Sequence, residues 1–582
     1  MVRTAALIFG LAVMSVATAF ADDAPLVSQL RRPTALALSS DEAWLYVANQ
    51  RSGSISAVDI AKRAVVGEQK VGKRLSAIVA IPGNSRLLAL DEAGHELIVL
   101  RATGPKIEVL HRVAVAAFPV TIALRPDGRW CSVASLWSRR LTWLEIPADE
   151  KESPRVAHSL DLDFSPRSQT LFEDGRLLVA DAFGGKIALV EVSTKKILGQ
   201  RMFFAHNVRG LGATPDGKMW MAAHQILNEY ANSIRNDVHW GVMLSNDLRW
   251  LRRDKLLAAG DDFYTGGHIH PLGEPGNASG DPTDLAMSRD GTVAVALGGV
   301  SEIATGKEFD FNLQRVSVGK RPVAVALSSD SKKAFVANQH GESISIVDVG
   351  NRESIAEVAL GPTPELTAAD EGELLFYNAR LSHDGWMSCH SCHTDGHSSG
   401  QLNDNFSDKS FGAPKRVISL LGVKETSPYA WNGGRHDLGE QIKASVTVTM
   451  QGNKPLTDKQ TASLVAYLET LEAPPSIEKL RGTQDDAAIG RGKTLFTDLS
   501  CVRCHAPPTY TTPRTYDVGL SDKKGLKEFN PPSLRGVGHR EPLFHEGQAA
   551  NLSEVLTKFK HKLRRDLEPQ ELSDLQAFLR SL

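Results

Sequence analysis

Between residues 25 and 361 apolar and polar positions alternate in short runs bounded by turn residues, the pattern of half-buried strands. From about residue 365 the apolar positions recur at helical spacing instead. The strand-like part repeats itself. Arg32-Pro33 opens RPTALALSSDEAWLYVANQRSGSISAVDI, Arg321-Pro322 opens RPVAVALSSDSKKAFVANQHGESISIVDV, and the two match nearly residue for residue. Weaker turn echoes fall between them (IPGNSR, RPDGRW, FEDGR, TPDGK and SRDGT), at spacings of roughly 40 to 48 residues with one gap of about 74. A unit of that length fits a four-stranded propeller blade. Counting gives an all-β propeller of seven blades over 25–361, with an insertion at about 226–280 in the long gap.

The helical part repeats as well. LTDKQTASLVAYLETL at 456–471 parallels LEPQELSDLQAFLRSL at 567–582, with apolar residues such as Leu464, Val465, Leu468 and Leu471 on one helical face. GELLF and GKTLF stand at matching places upstream. Two homologous units, 365–475 and 483–582, are expected, joined at Ala473-Pro474-Pro475.

Charge excludes some functions. Lysine plus arginine (66) nearly cancels aspartate plus glutamate (68), so no global field points to nucleic acid. At the N-terminus, MVRT, the apolar run AALIFGLAVMSVATAF and Ala19-Phe20-Ala21 read as an export signal over 1–21. The run falls short of the roughly 20 apolar residues of a spanning helix, and no second run follows. A periplasmic or otherwise exported protein is expected, with no membrane span after signal cleavage.

Cysteine usage then points to a cofactor. There are five cysteines, and four of them form two C-x-x-C pairs each followed at once by histidine: Cys389, Cys392 and His393, then Cys501, Cys504 and His505. This is the attachment signature of c-type haem, in which two thiols bond the porphyrin edge and the histidine reaches the iron. A zinc site wants four closed nitrogen or sulfur ligands, and a redox dithiol does not need a trailing histidine twice. Two covalently bound c-type haems are expected, which makes the two helical units mainly α cytochrome c-like domains. Leftover Cys131 reads as a buried packing residue. Within the insertion, His239, His268 and His270 read as solvated or hydrogen-bonded rather than metal-binding, and the loop as a surface for a partner or for the haem units.

The segments LFYNARLSHDGWMSCHSCH, GKTLFTDLSCVRCH, PPSLRGV at 531–537 and PLFHEGQ at 542–548 resemble, in order, the bacterial di-haem cytochrome c peroxidase and MauG superfamily. YVANQ at 46–50 and FVANQ at 335–339 resemble YVTN-type propellers. The first resemblance implies an oxidant-binding first haem, held by His393, and an electron-relaying second haem, held by His505. It implies hydrogen peroxide and a redox partner protein as partners. It also makes Trp431 an inter-haem relay and Gln441 a distal-side residue. The family's distal histidine has no counterpart in TDGHSSGQLNDNFSDKSFG beyond His397, which reads as a loop residue, so an open first haem is expected. Thr449 stands where the family has a glutamate that moves protons, with Glu440 and His436 nearby as substitutes. Lys527 occupies the slot expected for the second haem's sixth ligand, and His545 is the other candidate. Two functions are compatible with this pattern: a peroxide-dependent oxidoreductase, or a non-enzymatic electron-transfer cytochrome that docks through its propeller.

Overall fold

A computed structural model describes residues 27–582 apart from 258–259, 309 and 311–312, so the expected leader at 1–21 lies outside the described residues. Seven antiparallel sheets, each of four consecutive strands, occupy 33–70, 75–114, 119–161, 166–202, 206–271, 282–317 and 322–359. Their first strands stand side by side around a ring. The first strand of the seventh blade meets that of the first, so the propeller closes.

The repeated text has a physical cause. Asn49 and Asn338 are fully buried at the ends of second strands. Asn49 donates to Ser54 and Ser56 of the third strand (3.0 and 2.9 Å), and Asn338 to Ser343 and Ser345 at the same distances. Between the first and second strands, Ser39, Thr214, Ser288 and Ser328 each donate a hydroxyl to the aspartate two residues on, which fixes the turn. Fully buried Cys131 packs within the third blade, as expected.

Among the described residues no strand is exchanged at the ring seam. Arg31, wholly buried, pairs with Glu68 at 2.8 Å, while the amides of Arg31 and Arg32 donate to Glu342. The Arg32 guanidinium reaches both Glu342 (3.3 Å) and Glu373 of the helical region (2.9 Å). The same residues thus close the propeller and dock the helical region onto it.

Blade five absorbs the surplus length at 226–280. Its second and third strands, Met219–Leu227 and Leu244–Arg252, run to nine residues each, and the fourth is His268–Pro271. The surplus lies in the connections, 228–243 with the short helix α1 (Arg235–His239), and 253–267. His268 and His270 are strand residues, and His268 stacks on Trp250 at 4.6 Å.

The first helical unit contains α2 (Ala368–Phe376), α3 (Cys389–Cys392), α4 (Leu438–Ala444) and α5 (Asp458–Leu468). The second contains α6 (Ile477–Arg481), α7 (Asp486–Asp498), α8 (Leu552–Thr557) and α9 (Pro569–Ser581). α2 packs on α5 and α7 on α9, so the duplication read from the sequence is a duplication of one helix crossing. Its signature is Gly-x-x-Leu-Phe. A Cβ on Gly372 would sit 1.9 Å from the Ser463 carbonyl oxygen, and one on Gly492 2.0 Å from that of Asp574. Glycine is needed for the backbones to touch, and the phenylalanine four residues on, Phe376 or Phe496, is buried on the same face.

Candidate functional site

The first C-x-x-C-H turn is held by the propeller. Ser388 caps α3 and, with Ser391, donates its hydroxyl to Asp281, which precedes the first strand of blade six in a left-handed conformation (φ +57°). His206 reaches the Ser391 carbonyl at 2.8 Å. Just past the motif, one oxygen of Asp395 accepts from Arg167 (2.9 Å) and Arg209 (2.8 Å), which come from blades four and five. The remaining histidines of the motif are committed to this packing. His390 is buried, accepts from the Asp395 amide at 3.0 Å and lies 3.4 Å from Asn207. His397 bonds Ser419 (2.9 Å) and the His539 carbonyl (3.0 Å), and lies edge-on to Trp137 and Phe183. It joins the propeller, the first unit and the second.

Cys389, Cys392 and His393 face a cavity of about 290 Å³ whose apolar wall includes Phe376, Leu420, Leu438, Ile442, Leu464 and Leu468. His393 Nδ1 lies 2.9 Å from the Ile418 carbonyl, which fixes the ring and leaves Nε2 for a ligand. Burial holds its pKa down, to about 4, so the ring is the neutral, metal-binding form. Burial also pushes both thiols up to about 12. A redox dithiol works through a thiolate of lowered pKa, so that chemistry is disfavoured here. A zinc cluster is disfavoured too: among the described residues, the group of three metal-ligating side chains that converges is elsewhere.

Two cations in the lining bear on whether a haem fits. Arg416 and Arg540 both line the cavity, 7 and 9% exposed, and no carboxylate pairs with either among the described residues. Arg416 Nε has no hydrogen-bond partner, and burial lowers both guanidiniums to about 10. Arg540 donates to the Ser533 and Leu421 carbonyls (2.7 and 2.9 Å) and Arg416 to the Arg540 carbonyl, but carbonyls do not neutralise charge, and two buried cations are costly unless an anion joins them. The two propionates of a haem have the required charge and number. The residues present therefore fit the group.

Tyr429, Gln441, Ser445 and Thr449 also line the cavity. Ser445–Thr449 forms a π-turn continuing α4, and Gln441 Nε2 is 3.3 Å from Ser445 Oγ. Among the described residues, His393 is the only imidazole in the lining and no carboxylate is found there; Glu440 and His436 lie outside it, exposed. Trp431 sits at the seam of the two units. Its indole donates to the Arg416 carbonyl at 2.8 Å, and its own carbonyl accepts from Asn530 at 2.8 Å.

In the second unit Cys501 borders the core of Phe496, Val537, Leu575 and Phe578, and Cys504 and His505 follow it, half-buried. His505 Nδ1 lies 3.1 Å from the Tyr510 carbonyl, repeating the arrangement at His393. Lys527 is exposed. His545 stacks on Phe529 at 4.0 Å, 6.2 Å from Trp431, and its carbonyl accepts from the Arg416 amide. The imidazole that feels His505 is His561: burial and then the nearby His505 bring it down to about 4. It lies in FKHKLRR, a run with no motif to mark it, and sequence reasoning passed it over.

Residues 367–480 match the di-haem cytochrome c peroxidase family. The methylamine utilization protein MauG of Methylophilus methylotrophus is 27% identical over 281 residues, covering 37% of this chain and 82% of that protein. Cytochrome c551 peroxidase of Nitrosomonas europaea is 26% identical over 272 residues, covering 38% and 81%. The hydrazine synthase subunit gamma of Kuenenia stuttgartiensis is 24% identical over 271 residues, covering 36% and 76%. A solved structure of hydrazine synthase from that organism aligns over 56% of this chain and 99% of its own, with a TM-score of 0.49 and 18% identity.

Proposed function

We propose that this chain, a seven-bladed propeller joined to a di-haem cytochrome c peroxidase/MauG family region, is an exported di-haem oxidoreductase that uses hydrogen peroxide. The observation that carries the reading is the first cavity, lined by two thiols, one neutral imidazole and two arginines without a carboxylate partner, with no second imidazole among the described residues. A haem held at each site by its two cysteines and histidine would supply one-electron redox chemistry and, at the first, the chemistry of oxidant reduction.

The chain's own residues do the rest. His393 and His505 each present Nε2, held by a carbonyl on Nδ1. Arg416 and Arg540 would hold the propionates of the first haem. Gln441 and Thr449 offer hydrogen bonds to the oxidant, and the Tyr429 and Thr449 hydroxyls stand in for the missing carboxylate in moving protons. Trp431, between the first cavity and the second unit, relays electrons. His561, buried and close enough to His505 for the two charges to interact, would be the further imidazole available to hold the second haem. Each peroxide takes two electrons and two protons to give two waters, the electrons coming singly from a reduced redox partner protein. Among the described residues no helix is long and apolar enough to cross a membrane.

A second reading rests on the absence of a carboxylate from the cavity lining: an electron-transfer protein whose propeller docks it. Electron paramagnetic resonance of the oxidised protein, before and after stoichiometric peroxide, separates the two. A high-spin ferric signal beside a low-spin one, with the high-spin signal lost on peroxide, is expected of the oxidoreductase. Two low-spin signals indifferent to peroxide, also after one-electron reduction, leave the electron carrier.

A further inference from the structure

Outside the lining of the first cavity, three metal-ligating side chains from two domains converge. His239 ends α1 in the blade-five connection, while His383 and Asp384 lie just ahead of the first attachment motif. One ligand atom of each falls within 4.8 Å of the other two. His239 Nδ1 is 2.6 Å from Asp384 Oδ2, His383 Nδ1 is 3.4 Å from Asp384 Oδ1, and the two imidazoles stack with centroids 5.5 Å apart.

Two features separate this from an ordinary histidine–aspartate contact. His383 is 8% exposed, and its Nδ1 has no partner in hydrogen-bond geometry. Buried ring nitrogens in native proteins are normally satisfied, so an orphan aimed at a carboxylate and a second imidazole marks a missing group. The surroundings also fix the ligands. Asp384 takes a left-handed φ of +58°, its carbonyl accepts from the Ala278 amide (3.1 Å), and its Oδ2 accepts from the Gly276 amide (3.1 Å). The His239 carbonyl accepts from the Trp386 indole at 3.0 Å.

We propose that His239, His383 and Asp384 bind a divalent transition metal of the zinc class, clasping blade five of the propeller to the first haem unit. Two imidazoles and one carboxylate suit zinc, with water as fourth ligand on the side where His239 is open. Ligand atoms around a tetrahedral zinc lie about 3.4 Å apart, so closing the set moves side chains by about 1.4 Å or less. The metal takes the place of the hydrogen shared by His239 and Asp384. Nothing in this site depends on the haems.

The test uses the full-length holoprotein, whose covalent haems survive treatment with a chelator. After stripping, calorimetric titration with zinc alone should give one equivalent bound, and zinc-edge absorption should report nitrogen and oxygen ligands. His239→Gln and His383→Gln should each weaken binding by about 10-fold or more. No zinc bound by the wild type at micromolar concentration, or equal binding by both variants, overturns the proposal and leaves adventitious surface binding only. Should His383→Gln fail to fold, His239→Gln, at a partly exposed position, still decides.

Discussion

Asp395→Asn should loosen the propeller from the first haem unit. One carboxylate oxygen takes hydrogen bonds from Arg167 (2.9 Å) and Arg209 (2.8 Å), with the three side chains 26, 22 and 10% exposed. Each guanidinium–carboxylate pair attracts by about 4 kcal/mol at an effective dielectric near 20, before desolvation is counted. Removing one member of a fully buried pair costs about 3–5 kcal/mol, because the partner charge stays behind. Here water reaches a quarter of the carboxylate, which screens the orphaned arginines. A loss of about 2–3 kcal/mol is therefore expected. With a urea slope of about 3 kcal/mol/M, the midpoint for loss of docking falls by roughly 1 M or less. Unfolding would be followed by tryptophan emission for the propeller and by the haem Soret band for the helical units, since a multidomain chain need not melt in one step.

The pH dependence has a definite sign. Burial opposes ionisation of Asp395, but Arg209 and Arg167 outweigh it and hold the carboxyl well below the ordinary carboxylate range. The ion pairs are thus fully present above the unfolded value of about 3.9 and are lost as pH falls through the lower folded value. The gap between wild type and variant should be constant near neutrality and shrink only in acid. A midpoint unmoved at neutral pH, with the Soret band intact, would refute the idea that this triad holds the two parts together.

Three more outcomes are expected from the same geometry. Trp431→Phe removes the indole and its bond to the Arg416 carbonyl; stopped-flow reduction should show inter-haem transfer slowed severalfold with both haem spectra unchanged, and an unaltered rate excludes the relay. His561→Ala should convert the second haem's low-spin signal to high-spin in paramagnetic resonance, and a persisting low-spin signal assigns the ligand elsewhere. Asn338→Ala deletes two buried hydrogen bonds, leaving Ser343 its bond to Glu357 and Ser345 its bond from the Gly319 amide, so calorimetry should show the propeller transition weakened by about 1–3 kcal/mol, with the transition of the helical units unmoved.

What the sequence determined by itself lies close together along the chain. The blade repeat is legible because Asn338 and its two serines sit within one hairpin, and the helix crossing because Gly-x-x-Leu-Phe is one helical turn. Cys389, Cys392 and His393 occupy a single turn, so their spacing alone names their chemistry. Surplus length at 226–280 is legible too, although not that two strands of blade five run through it. Only the tertiary structure decided the rest. Arg416 and Arg540, whose unpaired charges suit the propionates, are ordinary arginines until folding buries both in one cavity wall. His239 meets His383 and Asp384 across separations that no periodicity encodes, and His561 comes near enough to His505 to feel its charge. Local patterns survive in sequence because backbone geometry ties neighbours at fixed offsets, whereas charges and ligands far apart acquire meaning only when burial removes water and leaves them each other.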